Sequence, residues 1–249
     1  MKLNFLVAPD FAPERFAGWH MLNSLLQSRT GLHMHLMTPA TAHEQAELLS
    51  GGKVDVIYAN PFDTATLMRE LGFCSMAAPV GKPDEMVIAT AAGSAVQRVE
   101  DLRPGARIAL TNNRDVKLIG LRLLEPADLT EADVQWVPVD TYQAAARLAM
   151  KGEVDASFFL AETFHSLSRI TRSQLSVVIE SAIGNITHVL LAHQRIQPHM
   201  EAFRTALIGV GQQPNDQEVL QALGIPGGFA AMPQEDAEFM ADLMDTLLD

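Results

Sequence analysis

The sequence predicts an α/β fold built as two similar lobes, and two observations carry that expectation. The first is a phrase used twice: Ala46-Glu47-Leu48-Leu49-Ser50-Gly51-Gly52-Lys53-Val54-Asp55-Val56 is echoed by Ala146-Arg147-Leu148-Ala149-Met150-Lys151-Gly152-Glu153-Val154-Asp155-Ala156. Each copy reads as the end of an amphipathic helix, a glycine that closes it, and Val-Asp leading into a short apolar strand, Val56-Ile57-Tyr58 or Ser157-Phe158-Phe159. A helix stopped just before a buried strand is half of a βαβ crossover. The second observation is that strand-like and helix-like segments alternate along most of the chain, the pattern of parallel sheets covered by helices. Two lobes imply a cleft, and clefts hold ligands.

In the first lobe, residues 3–7 read as a buried strand and 13–27 as a helix, with Pro13 near its first turn and Phe16, Leu22, Leu25 and Leu26 on one side. A strand at 32–37, the first phrase's helix at 42–50, a strand at 54–58, a helix at 65–70 and an extended segment at 73–79 complete the series. Gly81-Lys82-Pro83-Asp84-Glu85 marks a break, and the apolar run 86–91 reads as a strand crossing between lobes. The second lobe repeats the rhythm with a strand at 107–110, helix at 116–124, strand at 134–137, helix at 141–150 and strands at 154–159 and 175–180. Ser181-Ala182-Ile183-Gly184-Asn185 reads as the return crossing and 187–192 as a strand back in the first lobe. The tail is helical at 197–210, 217–223 and 235–248, and Ser, Asp or Pro precedes several of these helices, as capping requires. The expected lobes are therefore 1–82 plus 186–249 and 83–185, each with a mainly parallel sheet and joined by two crossing strands.

Charge narrows the partners. With 18 Lys and Arg against 30 Asp and Glu, the formal charge of -12 disfavours nucleic acid, whose phosphates demand a basic face, and disfavours an anionic membrane likewise. A small anion stays compatible, because a few local donors and helix N-termini suffice to hold it. The single cysteine, Cys74, lies in a mostly apolar stretch and reads as a packing residue. The apolar run from Phe5 to Ala8 ends at Pro9-Asp10, which suits a strand and not a signal peptide, and no run reaches the roughly 18 residues of a membrane span. The expectation is a cytoplasmic protein as written, or an extracytoplasmic one if the chain is an excised or mature domain.

An ordered set of motifs carries a family resemblance. It comprises residues 3–9 with a short loop after them, Gly52-Lys53-Val54-Asp55-Val56-Ile57-Tyr58-Ala59-Asn60-Pro61, Val99-Glu100-Asp101-Leu102-Arg103-Pro104-Gly105-Ala106-Arg107-Ile108-Ala109, and the second phrase. It ends with Leu220-Gln221-Ala222-Leu223-Gly224-Ile225 and Gly228-Phe229. Over essentially its whole length the chain resembles the phosphonate/phosphate-type substrate-binding proteins of ABC transporters, a branch of the type II periplasmic-binding-protein fold. The resemblance implies two lobes hinged by two strands, with a ligand held between them by strand ends and helix N-termini. Open α/β sheets bind ligands beyond the carboxyl ends of their strands, and hinge closure is the usual response. Those ends are Pro9-Asp10-Phe11, Asn60-Pro61-Phe62-Asp63, Thr111-Asn112-Asn113-Arg114-Asp115, Val139-Asp140-Thr141-Tyr142 and Leu160-Ala161-Glu162.

Residue by residue, the chain departs from that family. The Ser-Thr-Ser-Gly at which the family grips phosphonate oxygens is matched by Asn113-Arg114-Asp115-Val116, so the small hydroxyls are absent while helix amides and dipole remain. Arg114 offers a bidentate anion contact instead; Asp115 would repel an anion, or cap the helix and hold Arg114. Tyr142 stands where the family has a His, Ala42 beside His43 where it has a Tyr, and Leu160, with Glu162 two residues on, where aminophosphonate binders carry a carboxylate. The expected site has Asn113 and Arg114 on the anion with the helix amides, Asn60 donating from the first lobe, Phe11, Phe62 and Tyr142 as walls, and Glu162 at its edge. The expected ligand is a small anion, phosphate- or phosphonate-like or a carboxylate, bound for sensing or as a binding component, with no cofactor.

Other classes stay open at this point. His33-Met34-His35 places two imidazoles on one strand face, too few for a closed metal site, and His188 and His193 at the two ends of strand 187–192 read as solvent-facing or packing groups. A cytoplasmic enzyme on the same fold would draw on Asp10, Asp63, Asp140, Glu162 or His43, but nothing in their spacing marks a pair, and no nucleophile elbow, phosphate-binding loop or zinc motif is present. A domain that has lost its ligand would use a partner surface such as the acidic tail, where Phe239, Met240, Leu243 and Met244 recur at near-helical spacing.

Overall fold

The computed structural model describes residues 2–9, 11 and 13–248, and the chain divides into two compact units. Unit 1 holds the residues up to Lys82 together with Thr187–Met244; unit 2 holds Pro83–Ile186 and the residues from Asp245 onward.

Unit 1 contains β1 (Lys2–Val7), α1 (Phe16–Thr30), β2 (His33–Met37), α2 (Ala42–Ser50), β3 (Val56–Ala59), α3 (Pro61–Arg69) and β4 (Phe73–Pro79). Unit 2 contains β5 (Met86–Ala91), β6 (Arg107–Leu110), α4 (Arg114–Leu124), β7 (Gln135–Pro138), α5 (Tyr142–Met150), β8 (Ala156–Leu160), α6 (Ala161–Ser166), α7 (Arg169–Arg172) and β9 (Leu175–Glu180). The chain then returns to unit 1 as β10 (Val189–His193), α8 (Gln197–Ile208), α9 (Asp216–Leu223) and β11 (Phe229–Ala231), and ends in α10 (Gln234–Leu248).

Both sheets are mixed, and in the same way. Unit 1 orders its six strands β11-β4-β10-β3-β1-β2, and unit 2 its five β7-β6-β8-β5-β9. In each, three strands linked by helices run parallel, β2-β1-β3 and β7-β6-β8. The next strand runs against them, β10 beside β3 and β5 beside β8. Each of these antiparallel strands is the first after the chain enters its unit, so it lies inside the sheet and not at its margin.

The repeated phrase explains itself in hydrogen bonds. Thr41 caps α2 by accepting from the Glu44 amide at 3.2 Å, and Thr141 caps α5 from the Ala144 amide at 3.1 Å. At the other end Gly52 and Gly152 take positive φ (62° and 66°), a conformation that costs a glycine little, and their amides close the helices on Leu49 and Ala149. The aspartates then clasp the neighbouring strand. Asp55 donates its amide to the Asn4 carbonyl at 3.0 Å and accepts the Asn4 amide on Oδ2 at 2.7 Å. Asp155 does the same with Arg107, at 2.8 and 2.7 Å. The carboxylate thus satisfies the amide one residue before the parallel pairing begins, at Phe5 opposite Val56 and Ile108 opposite Ala156, a group the ladder leaves without a partner.

Alternation along β1 sends Leu3, Phe5 and Val7 to one face of the unit 1 sheet, where Trp19, Leu22 and Leu26 of α1 meet Phe203 and Leu207 of α8 and Leu220 and Leu223 of α9. Leu6 and Ile57 face the other side, against Leu67 of α3 and Ala237, Met240 and Ala241 of α10. The tail helix is therefore packed on its own unit through that stripe, although Phe239 is 60% exposed. In unit 2, Ala145, Ala146 and Ala149 of α5 let the helix lie close to Val87, Ala89, Ala109 and Phe159. A buried ion pair holds α9 to α1: Asp216 accepts from Arg29 at 2.6 Å and from the Gly211 and Gln213 amides at 2.9 and 3.1 Å. Burial pushes this carboxyl up, but the Arg29 and amide hydrogen bonds outweigh it and hold the group below its ordinary value.

Several expected boundaries move for identifiable reasons. Residues 13–15 form a 3-10 turn ahead of α1. Helix α3 starts at Pro61 and not at 65, because Asn60 caps it and proline suits the first helical position. The short α6, α7 and β11 lie where no element was expected. Cys74 is half-buried on β4. His33 and His35 are exposed on the edge strand β2 with Met34 buried between them. His193 ends β10 edge-on to Phe73 at 5.1 Å, and desolvation together with nearby Arg195 lowers its pKa against the raising influence of Asp55.

Candidate ligand-binding site

In unit 2 the parallel strands β7, β6 and β8 end on one side of the sheet, and each end leads directly into a helix N-terminus. The central one is best formed. Asn113 caps α4, its Oδ1 accepting from the Val116 amide at 3.0 Å, which leaves its Nδ2 as a side-chain donor at the helix mouth. Arg114, the first helical residue, is exposed. An eleven-residue helix places roughly half a positive charge at this end. Asp115, in the same turn, is only 3% exposed; its carboxylate suits the dipole and opposes an incoming anion. Between strand and helix, Thr111 has a buried Oγ1 with no hydrogen-bond partner among the described residues.

The flanking helices are different. Tyr142 opens α5, half-buried, its ring 6.1 Å from Phe159. Ser157 ties the same helix down by donating to the Ala145 carbonyl at 3.0 Å. Glu162 is exposed in the first turn of α6, a six-residue helix with no side-chain cap.

Unit 1 repeats the arrangement at the ends of β1 and β3, which are tied by the Ala8 amide donating to the Tyr58 carbonyl at 3.0 Å. Asn60 caps α3, accepting from the Asp63 amide at 2.9 Å, while its carbonyl accepts from the Thr64 hydroxyl at 2.9 Å. Phe62 is half-buried in the same turn, and Asp63 accepts from Gln45 at 2.6 Å. Phe11 is half-buried against Trp19, with ring centroids 6.3 Å apart. Asp10 lies outside the described residues.

Within each unit, then, the expected residues gather at one end of the sheet: Phe11, Asn60 and Phe62 in unit 1, and Asn113, Arg114, Tyr142 and Glu162 in unit 2. Sequence reasoning missed three aromatic groups at the unit 1 end. Trp19 lies 4.6 Å from Tyr58, and Tyr58 stacks on His188 at 4.9 Å and 20°. The usable signal is that Tyr58 is the penultimate residue of a parallel strand, two residues before the Asn60 cap.

Of the groups considered for catalysis, His43 is exposed beside Glu47 at 3.7 Å, and Asp140 and Glu162 are exposed. Among the described residues no three His, Cys, Asp or Glu side chains are grouped to hold a metal ion, and no helix is long and apolar enough to cross a membrane.

Solved structures share this fold. PhnD1 from Prochlorococcus marinus, solved in complex with methylphosphonate, superposes with a TM-score of 0.82 at 10% identity, over 99% of this chain and 98% of that one. A Xanthomonas citri protein solved bound to ATP gives 0.78 at 16% identity, over 100% and 98%. The periplasmic aliphatic sulphonate binding protein SsuA from Escherichia coli gives 0.67 at 18% identity, over 98% and 87%. No curated protein matches the sequence. The model of a family of binding proteins, and not of enzymes, matches residues 5–237, nearly the whole chain. The chain accordingly belongs to the ABC transporter phosphonate periplasmic substrate-binding protein family.

Proposed function

We propose that this protein binds a small organic oxyanion of the phosphonate or sulfonate kind, as the binding component of an ABC transporter. The observation that carries the reading is the amide end of α4: a capped helix directly after the central strand of its sheet, headed by an exposed arginine. Asn113 Nδ2, the Arg114 guanidinium and the amides of this turn supply the donors in unit 2; the Asn60-capped end of α3 is proposed as the same kind of donor turn in unit 1. At the strand ends of unit 2 Tyr142 provides apolar surface for the organic substituent, and at those of unit 1 Phe11 and Phe62 offer surface of the same kind. Family membership supports this, as do fold relatives solved with methylphosphonate or described as sulphonate-binding. For the compartment we propose the family's periplasm and not the cytoplasm that the opening residues suggested; fractionation of cells producing the full gene product decides it.

The test is a thermal-shift and calorimetric series with phosphate, methylphosphonate, methanesulfonate and small carboxylates on wild type and Arg114→Ala. A ligand at one hundred times its Kd stabilises the folded state by about 2.7 kcal/mol, a clear shift in Tm. Arg114→Ala should weaken the best oxyanion roughly ten-fold, about 1.4 kcal/mol for one lost charge-assisted contact. An unchanged affinity removes Arg114 from the site, and stabilisation by none of these anions ends the reading.

A further inference from the structure

Charge at the strand ends of unit 2 is unevenly divided. Besides the three parallel strands that finish there, the antiparallel strands bring their loops to the same margin: Met86 of β5 lies opposite Leu160 of β8, and Glu180 of β9 opposite Val87. The segments concerned, 84–86, 111–116, 139–142, 160–162 and 180–185, hold one basic side chain, Arg114. They hold six carboxylates: Asp84, Glu85, Asp115, Asp140, Glu162 and Glu180. Lys117, one turn further along α4, is paired with Glu131 and lies over the Trp136 ring at 5.3 Å. Solvent screens the exposed Asp140, Glu162 and Glu180. It screens Asp115 far less, because that residue is 3% exposed, and it stands in the same turn as Arg114. Asp115 suits the dipole of its own helix, and whatever its structural use, it sets a buried negative charge beside the donors of the turn.

We infer that this turn selects its ligand by charge and takes monoanions: organic sulfonates, and phosphonates only in their singly ionised form. The inference rests on the oxyanion reading above and specifies the charge that the oxyanion carries. Arg114 contributes a full positive charge and the end of α4 roughly half of another; the Asp115 carboxylate leaves about half a charge of that. The remainder attracts a single negative charge. A second charge on the ligand gains little more attraction and is repelled by the same carboxylates. Its desolvation cost also grows as the square of the charge. In unit 1 the parallel strands end at 8–9, 38–40 and 60–63 without a lysine or arginine; Lys82, after β4, and His188, before β10, are the basic groups of that margin.

Isothermal titration of methanesulfonate and methylphosphonate, one pH unit below and one above the second ionisation of methylphosphonate, tests this on the wild-type protein. Methanesulfonate is a monoanion at both. The singly ionised fraction of methylphosphonate falls roughly ten-fold between them. The ratio of the two Kd values should therefore move roughly ten-fold against methylphosphonate as pH rises. Titration of the protein's own groups, such as His188 and the His165 that meets Glu180 at 2.9 Å, acts on both ligands and leaves the ratio in place. Asp115→Asn should cut the shift to roughly three-fold or less by admitting the dianion; circular dichroism checks that it folds, and the wild-type ratio decides the inference without it. A ratio that stays constant, or moves in favour of methylphosphonate, overturns the inference while the oxyanion reading stands. So does binding of methylphosphonate with none of methanesulfonate. Failure of both anions to bind at either pH overturns both.

Discussion

The two aspartates of the repeated phrase make the same backbone clasp in different surroundings, so their removal should cost different amounts. Asp55 is 8% exposed and adds a charge-assisted bond to the Arg195 Nε at 2.7 Å. Asp155 is exposed, and no ion pair to it is seen among the described residues. Removing Asp55 breaks two bonds to a charged acceptor, each worth about 1.5–3 kcal/mol when buried. Because the Arg195 side chain is 35% exposed, water takes up part of that loss, so Asp55→Ala should cost about 3 kcal/mol. Asp155→Ala loses one solvent-accessible bond and should cost about 1 kcal/mol. Trp19 lies in unit 1 and Trp136 in unit 2, so urea titrations in Trp136→Phe and Trp19→Phe backgrounds read the two units separately. At a urea slope of about 2 kcal/mol/M, the unit 1 midpoint should fall by about 1.5 M and the unit 2 midpoint by about 0.5 M. Equal shifts, or a larger one for Asp155→Ala, would refute the claim that burial and Arg195 set the difference.

Three further outcomes are expected. A Cβ on Gly120 would sit 2.1 Å from a ring carbon of the fully buried Phe158, so Gly120→Ala should lose about 1–3 kcal/mol by overpacking, and pairing it with Phe158→Leu should restore part of that in a chemical melt. The depressed pKa of Asp216 means that its contribution is present above the unfolded value near 3.8 and is lost as pH falls through the lower folded value; His193, also depressed, adds a loss as pH falls below about 6.5. Stability against pH should therefore fall in two windows, the acidic one flattened by Asp216→Asn and the near-neutral one by His193→Gln. Finally, Asp115→Asn removes a buried negative charge from the α4 turn and should tighten oxyanion binding several-fold by calorimetry; weaker binding would show that the carboxylate positions Arg114 instead.

Sequence and structure agree most closely where local signals are strong. Helices α2 and α5 are bracketed by Thr41 and Thr141 at one end and by glycines at the other, so periodicity and caps point the same way. The start of α3 lies four residues before the expected 65 because Asn60-Pro61, a cap followed by a first-turn proline, opens the helix ahead of its apolar spacing. Helices α6 and α7 and strand β11 are too short for any periodic pattern to show. The candidate site was legible as loops, since the ends of parallel strands follow from element order. The aromatic row was not: His188 reaches Tyr58 only because β10 pairs antiparallel with β3, Val189 opposite Ala59, a pairing across well over a hundred residues. The role of the phrase's aspartates was hidden for the same reason, because a carboxylate that pins the start of another strand is a tertiary fact.

We propose that the strand ends of unit 2 hold an oxyanion through the Asn113-Arg114 turn. Isothermal titration of methylphosphonate and methanesulfonate into wild type and Arg114→Ala measures it most directly. Saturable one-to-one binding in the wild type, weakened roughly ten-fold in the variant, is the result predicted. Binding that ignores the substitution, or no binding of either anion, would contradict it.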